Sequence, residues 1–203
     1  MPSPAPFGEP ILLVVEGKDE VNFFEALLRE IGMNENVDVR ETEGKDKFKE
    51  LMPAFTITTG FNLIEKIAVI RDADNNSNDA FKSVIDVLKK NGLKPPKKPG
   101  EFSRGIPSVG VFIMPDNTST GMLEDLCLDT VMDHPAMKCV DTFIDCVRDL
   151  KEPPKNISKS KVQAYLAAKP EIKNSLGVGA QKGYWDLKSK NLRPLISFLE
   201  QLK

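Results

Sequence analysis

Histidine is almost missing from this sequence: among 203 residues only His134 is one, and the three cysteines, Cys127, Cys139 and Cys146, form no Cys-x-x-Cys pair. Zinc sites and Ser-His-Asp triads need such side chains grouped, so both are disfavoured. An odd cysteine count without paired spacing also argues against a disulfide framework and points to a reducing, cytoplasmic setting. Cys139 and Cys146 stand seven apart in a helical stretch, a spacing that predicts two small side chains buried on one face. No apolar run approaches the length of a membrane span, and the Met-Pro-Ser-Pro-Ala-Pro start lacks the basic and apolar character of a leader. The net charge of -2 leaves no overall positive field for coating nucleic acid, so an anionic polymer would need local help such as metal ions. Gly177-Val178-Gly179 with Gly183 does not follow a strand, so it predicts a loop rather than a dinucleotide fingerprint.

What is present reads as an ordinary globular chain, 40% hydrophobic and 29% charged. Ile11-Leu12-Leu13-Val14-Val15 is a continuous apolar run of strand length, the pattern of a strand covered on both faces. Val21, Phe24, Leu27, Leu28 and Ile31 then follow helical spacing up to Gly32. The alternation recurs. Val37 to Arg40, Ile67 to Ile70 and Val109 to Met114 read as strands. The stretches from Lys45 to about Phe55, from Phe81 to Leu88 and from Leu123 to Val131 read as helices. The expected fold is therefore α/β, a parallel sheet of about four strands flanked by helices over residues 1–136. Residues 137–203 show helical patterns only, over 140–147, 160–168 and 194–202, and predict a helical extension packed on that core. Tyr184-Trp185 in the extension reads as an aromatic anchor. The lysines at 89, 90, 94, 97 and 98 read as a solvated connection at the opposite sheet edge from the acids.

Loops at the carboxyl ends of parallel strands gather along one edge of the sheet. Glu16 and Asp19 follow the first strand, Asp72 and Asp74 the third and Asp116 the fourth, while Glu124 and Asp125 open the next helix. Carboxylates crowded together repel unless a cation shares them, and an all-oxygen set without paired histidine or cysteine suits Mg2+ or Mn2+. Such ions usually bind substrate phosphates as well, so nucleic acid or nucleotide phosphate is the expected partner. Two residues apart on an extended chain, Asp72 and Asp74 should project to the same side. Asp19 and Glu124 also suit helix caps and dipoles, and Asp74 a turn. Glu16 suits neither role, standing between an apolar strand and Gly17.

Val14-Val15-Glu16-Gly17-Lys18-Asp19 and Ile70-Arg71-Asp72-Ala73-Asp74 resemble the glutamate and Asp-x-Asp signatures of the topoisomerase-primase (Toprim) domain. Met114-Pro115-Asp116-Asn117 and Gly121-Met122-Leu123-Glu124-Asp125-Leu126 resemble a small bacterial Toprim-related family, itself similar to the Toprim domain of OLD-type nucleases. The segments Ser160 to Ala167 and Leu176 to Gly179 fit that family too. The resemblance implies a Toprim-like, Rossmannoid fold, with Glu16 as general acid/base or metal ligand and Asp72 and Asp74 as the metal pair. Asp116 and Glu124 correspond to further acids able to hold a second ion, and Lys161 to a lysine near the scissile phosphate; Asp19 joins the expected metal ligands from its place after the first strand. The implied activity is metal-dependent phosphodiester hydrolysis or transfer. No nucleophilic tyrosine context and no Gly-x-x-x-x-Gly-Lys-Ser/Thr loop is present, so strand passage and a resident ATPase motor are not expected. A non-catalytic metal- or nucleotide-binding module on the same fold is the alternative, and a phosphoacceptor receiver is disfavoured by the Asp-x-Asp pair. Protein partners and homo-oligomerisation stay open.

Overall fold

Side chains alternate across a strand, so a run apolar at every position must be covered on both sides, and three of the four strands here show that double cover, the edge strand Val37–Glu41 being only half-buried. The computed structural model describes residues 5–203; residues 1–4, the beginning of the proline-rich start read for a leader, lie outside the described residues. Strands β1 (Ile11–Val15), β2 (Val37–Glu41), β3 (Lys66–Asp72) and β4 (Ser108–Met114) form one sheet in the order β2-β1-β3-β4. Every pairing is parallel. Leu12, Val14, Ile67, Val69, Val109, Val111 and Ile113 face helices α2 (Phe48–Ile57) and α3 (Ser77–Lys90), which contribute Phe48, Met52, Phe55, Val84, Ile85 and Leu88.

Leu13, Val15, Ala68, Ile70, Phe112 and Met114 face the other way, toward α1 (Lys18–Glu30). The same cluster takes in α4 (Leu123–Thr130), α5 (Ala136–Arg148), α6 (Ile157–Ala167), α7 (Leu176–Gln181) and α8 (Arg193–Leu199). Leu126, Val162, Leu166, Leu176, Leu195 and Phe198 thus share one core with the first strand of the chain. Full burial of each such side chain contributes about 1.5–3 kcal/mol, so α1 alone does not cover this face and the later helices complete it. The outer edge of β4 is closed by the preceding segment: Gly100 N–H donates to Val111 O at 2.7 Å and Ser103 N–H to Val109 O at 2.8 Å. The Phe102 ring occupies the space where Gly110 lacks a side chain and stacks on Phe198 at 5.0 Å.

Two expectations are corrected here. The segment around Gly177 is the short helix α7, not a loop. Ser175 caps it by accepting from Val178 N–H at 3.1 Å, and its glycines let it lie directly on α1. A Cβ at Gly177 would stand 2.3 Å from Asp19 O. Cys139 and Cys146 do share one side of α5, but it is the solvent side; the buried face runs through Met137, Val140 and Ile144. Trp185, by contrast, is the expected anchor, 2% exposed and stacked on Tyr165 at 5.0 Å. Among the described residues no helix is long and apolar enough to cross a membrane.

Candidate metal centre

The two central strands, β1 and β3, end side by side, and this adjacency builds the site. Glu16 leaves β1 just before Gly17, whose extended backbone (φ -151°, ψ -175°) turns the chain into α1. Its Oε1 accepts from the Asp72 backbone N–H at 3.2 Å and pairs with Arg71 Nε at 2.9 Å. Asp72, the last residue of β3, accepts through Oδ1 from Leu123 N–H at 3.0 Å, the first amide of α4. Each carboxylate is thus tied to backbone by one oxygen. Among the described residues nothing donates to Glu16 Oε2 or Asp72 Oδ2, and no fully buried side-chain oxygen lacks a partner, so both free oxygens reach solvent.

Glu20 and Glu124 join these two. Glu20 lies one helical turn beyond Glu16, in the first turn of α1, and Glu124 in the first turn of α4. Burial pushes the Asp72 carboxyl up to about 8, reinforced by the charges of Glu16, Glu20 and Glu124 against the Leu123 amide. Burial also raises Glu20, with Glu16, Glu124 and Asp19 adding to it. Glu16 is raised by burial too, although Arg71 pulls the other way. Cys127 lies beneath these acids, and full burial pushes its thiol up, which excludes it as a nucleophile at neutral pH.

The other acids read from the sequence are engaged elsewhere. Asp19 Oδ1 accepts from Ser175 Oγ and, at 3.3 Å, from Gly177 N–H, fastening the start of α1 to the start of α7. Asp74 leaves the extended conformation (φ 49°) and bridges to Gly121 through its backbone, so the same-side geometry expected of Asp72-Ala73-Asp74 does not hold. Its carboxylate pairs with Lys45 Nζ at 3.0 Å, close enough to Glu16 for its charge to raise that carboxyl. Asp116 closes its own turn, accepting from the amides and hydroxyls of Thr118 and Ser119 at 2.7–2.9 Å. Partial burial opposes ionisation there, but these four bonds outweigh it and hold the carboxyl at about 2. Lys161 pairs with Asp141 on α5 at 2.6 Å; the lysine beside the acids is Lys159, whose Nζ stands 3.7 Å from Glu124. Two residues on a helix are about 200° apart, which is why the two lysines face different ways.

The family profile described as "Protein of unknown function (DUF3226)" matches residues 10–203. The chain belongs to this family. No curated protein matches it in sequence. Two solved structures similar to this DUF3226 chain are C-terminal regions of OLD proteins. That of Burkholderia pseudomallei is 12% identical with a TM-score of 0.49, covering 97% of this chain and 99% of the other. That of Xanthomonas campestris pv. campestris is 12% identical with a TM-score of 0.48, covering 97% and 96%. Both scores lie below 0.5, so they carry no functional weight here.

In this DUF3226 chain the structure brings Glu16, Asp72 and Glu124 together with one residue missed in the sequence, Glu20. Its signal was the spacing Glu16-x-x-x-Glu20, in which one turn of helix returns the second acid to the strand end. A first-turn glutamate is so common as a dipole partner that nothing in the sequence sets it apart. The donor set fits a hard divalent ion: four carboxylates, no soft ligand, and two free oxygens on backbone-anchored groups. Among the described residues no three side chains of His, Cys, Asp or Glu already converge at ligand distance on one point. The cluster is a group of neighbouring carboxylates rather than a closed coordination sphere.

Proposed function

We propose that Glu16, Glu20, Asp72 and Glu124 hold Mg2+ or Mn2+ and that the protein hydrolyses or transfers phosphodiester bonds of nucleic acid in the Toprim manner. The supporting observation is the crowding of four carboxylates at one sheet edge around Asp72, whose carboxyl burial first, and then the charges of Glu16, Glu20 and Glu124, push up to about 8. An amide of the same shape at any of these positions would relieve the repulsion, so the crowding is costly unless a cation shares the charge. A divalent ion bound there supplies Lewis-acid polarisation of a phosphate and a water of lowered pKa. The chain holds the free oxygens of Asp72 and Glu16 in place through the Leu123 and Asp72 amides and Arg71. Glu16 and Glu20, both raised in proton affinity by burial, suit the acceptance of a proton from an attacking water. Lys159 beside Glu124 and Lys45 beside Asp74 flank the acids and offer charge to neighbouring phosphates.

A second reading draws on the same geometry. The Arg71–Glu16 ion pair already neutralises one acid, and no three ligands yet converge on a point, which favours a metal- or nucleotide-binding regulatory module without turnover. Purified protein incubated with DNA, RNA and nucleotides, with Mn2+ or with chelator, separates the two. The enzymatic reading expects Mn2+-dependent cleavage that is abolished in Glu20→Gln/Asp72→Asn and weakened in Lys159→Ala. Undiminished cleavage by the double variant refutes it. Calorimetric Mn2+ binding without turnover of any substrate selects the regulatory module.

A further inference from the structure

A cavity of about 1040 Å³ opens on the same side of the sheet as α1 but away from the carboxylates, between the end of α1, the turn after α4, the end of α6 and the segment after α7. Its floor is aromatic. Tyr165 stacks on Trp185 at 5.0 Å, and its hydroxyl donates to Tyr184 O at 3.0 Å. Lys169 Nζ donates to that hydroxyl at 2.6 Å and sits over the Tyr165 and Tyr184 rings, 3.9 and 5.6 Å from their centroids. Among the described residues the partners of this ammonium are a phenol and two ring faces, not a carboxylate, and burial lowers its pKa.

The remaining neighbour of Lys169 is His134, whose Nε2 lies 3.4 Å from Nζ. His134 Nδ1 accepts from the Ala136 N–H at 3.1 Å, so the neutral ring carries its proton on Nε2. An Nε2–H and an ammonium then face each other as donors, and neither can accept from the other. This is a two-donor seat lacking an acceptor, the complement of one oxyanion oxygen. The mouth is mixed in charge, with Arg29, Lys188 and Lys190 set against Asp129, Asp133 and Asp186. Preference for an anion therefore resides where half-buried Lys169 and exposed His134 meet, above the aromatic floor. The volume lies just above the range of small-molecule sites, roughly 300–1,000 Å³, and exceeds what an inorganic ion fills.

We propose that this cavity is a second site, separate from the carboxylate cluster, which binds a small organic oxyanion. Its phosphate or carboxylate oxygen lodges between Lys169 Nζ and His134 Nε2, and its body lies along Tyr184. His134 is the only histidine and Trp185 the only tryptophan, so each gives a signal free of overlap. Long-range proton–nitrogen spectra of the wild-type protein are expected to show the Nε2–H tautomer and to move saturably with adenosine monophosphate, citrate or inorganic phosphate. Trp185 fluorescence follows the same titrations. Affinity should fall roughly tenfold or more in Lys169→Met and in His134→Phe, each of which removes one donor, and stay unchanged in Asp72→Asn. The proposal is overturned by an Nδ1–H tautomer, by no saturable response to adenosine monophosphate or citrate up to roughly 10 mM even if inorganic phosphate binds, or by full affinity in Lys169→Met.

Discussion

Replacing Asp72 with asparagine should make the protein more stable at pH 8 in chelator while removing its response to Mg2+. The carboxyl rises from an ordinary 3.8 to about 8 because burial and three neighbouring acids disfavour its charge. A group whose proton affinity rises on folding stabilises fully at low pH. That contribution is complete below about 3.8 and is lost as the pH climbs toward about 8. At roughly 1.4 kcal/mol per pH unit, the loss has a ceiling of roughly 5–6 kcal/mol at pH 8 and above. Glu16 and Glu20 carry part of the same repulsion, so a realistic gain for Asp72→Asn is about 1–2 kcal/mol, or roughly 2–8 °C in Tm for a chain of this size. Asparagine can still accept from Leu123 N–H, and its amide hydrogens suit the remaining acids. Thermal denaturation of both proteins at pH 8 and pH 5 in chelator measures this directly, with the advantage of the variant shrinking at the lower pH. Mg2+ at roughly 100 times its Kd should then add about 2.7 kcal/mol to the wild type and little to the variant. A variant less stable than wild type at pH 8, or one that keeps the full Mg2+ response, refutes the reasoning.

Gly177→Ala should cost about 1–3 kcal/mol in urea unfolding, because the new methyl meets Asp19 O at 2.3 Å and pushes α7 off α1. Asp116→Ala should lose about 1 kcal/mol at neutral pH as the hydrogen bonds within its turn vanish, with Mg2+ affinity by calorimetry unchanged. Since the Asp116 carboxyl is held at about 2, its stabilisation is present above an ordinary 3.8 and fades as the pH falls toward 2, so the two unfolding curves should converge there.

The sheet was legible because its signal is local. An unbroken apolar run such as residues 11–15 has few alternatives to a strand covered on both faces, and each polar residue that ends one marks the carboxyl edge. Helix α7 was not legible for the opposite reason. Six residues containing two glycines carry no helical preference of their own, and the order arises from Asp19 and Ser175, 156 residues apart in sequence. Likewise, periodicity places Cys139 and Cys146 on one side of α5 but does not say which side meets the core. That depends on where α6 lies.

The acids show the same division between what spacing determines and what packing determines. Strand topology alone brings Glu16 beside Asp72, because β1 and β3 are neighbours in the sheet. Which further carboxylates stay available depends on donors that the sequence does not mark as partners. Asp19 is taken by Ser175, Asp74 by Lys45 and Asp116 by the turn that follows it. Glu20 and Glu124 remain because the groups near them are mostly other acids, Lys159 excepted. A residue's candidacy for metal is therefore read best from its lack of a structural partner, and by that measure a glutamate with no evident role in the sequence outranks an aspartate in a familiar motif. The pairing of Asp74 with Lys45 follows the same logic: an acid that the motif assigns to metal is held by a lysine, and its release would require that ion pair to open. Exposed pairs of this kind contribute about 0–1 kcal/mol, so opening it is cheap.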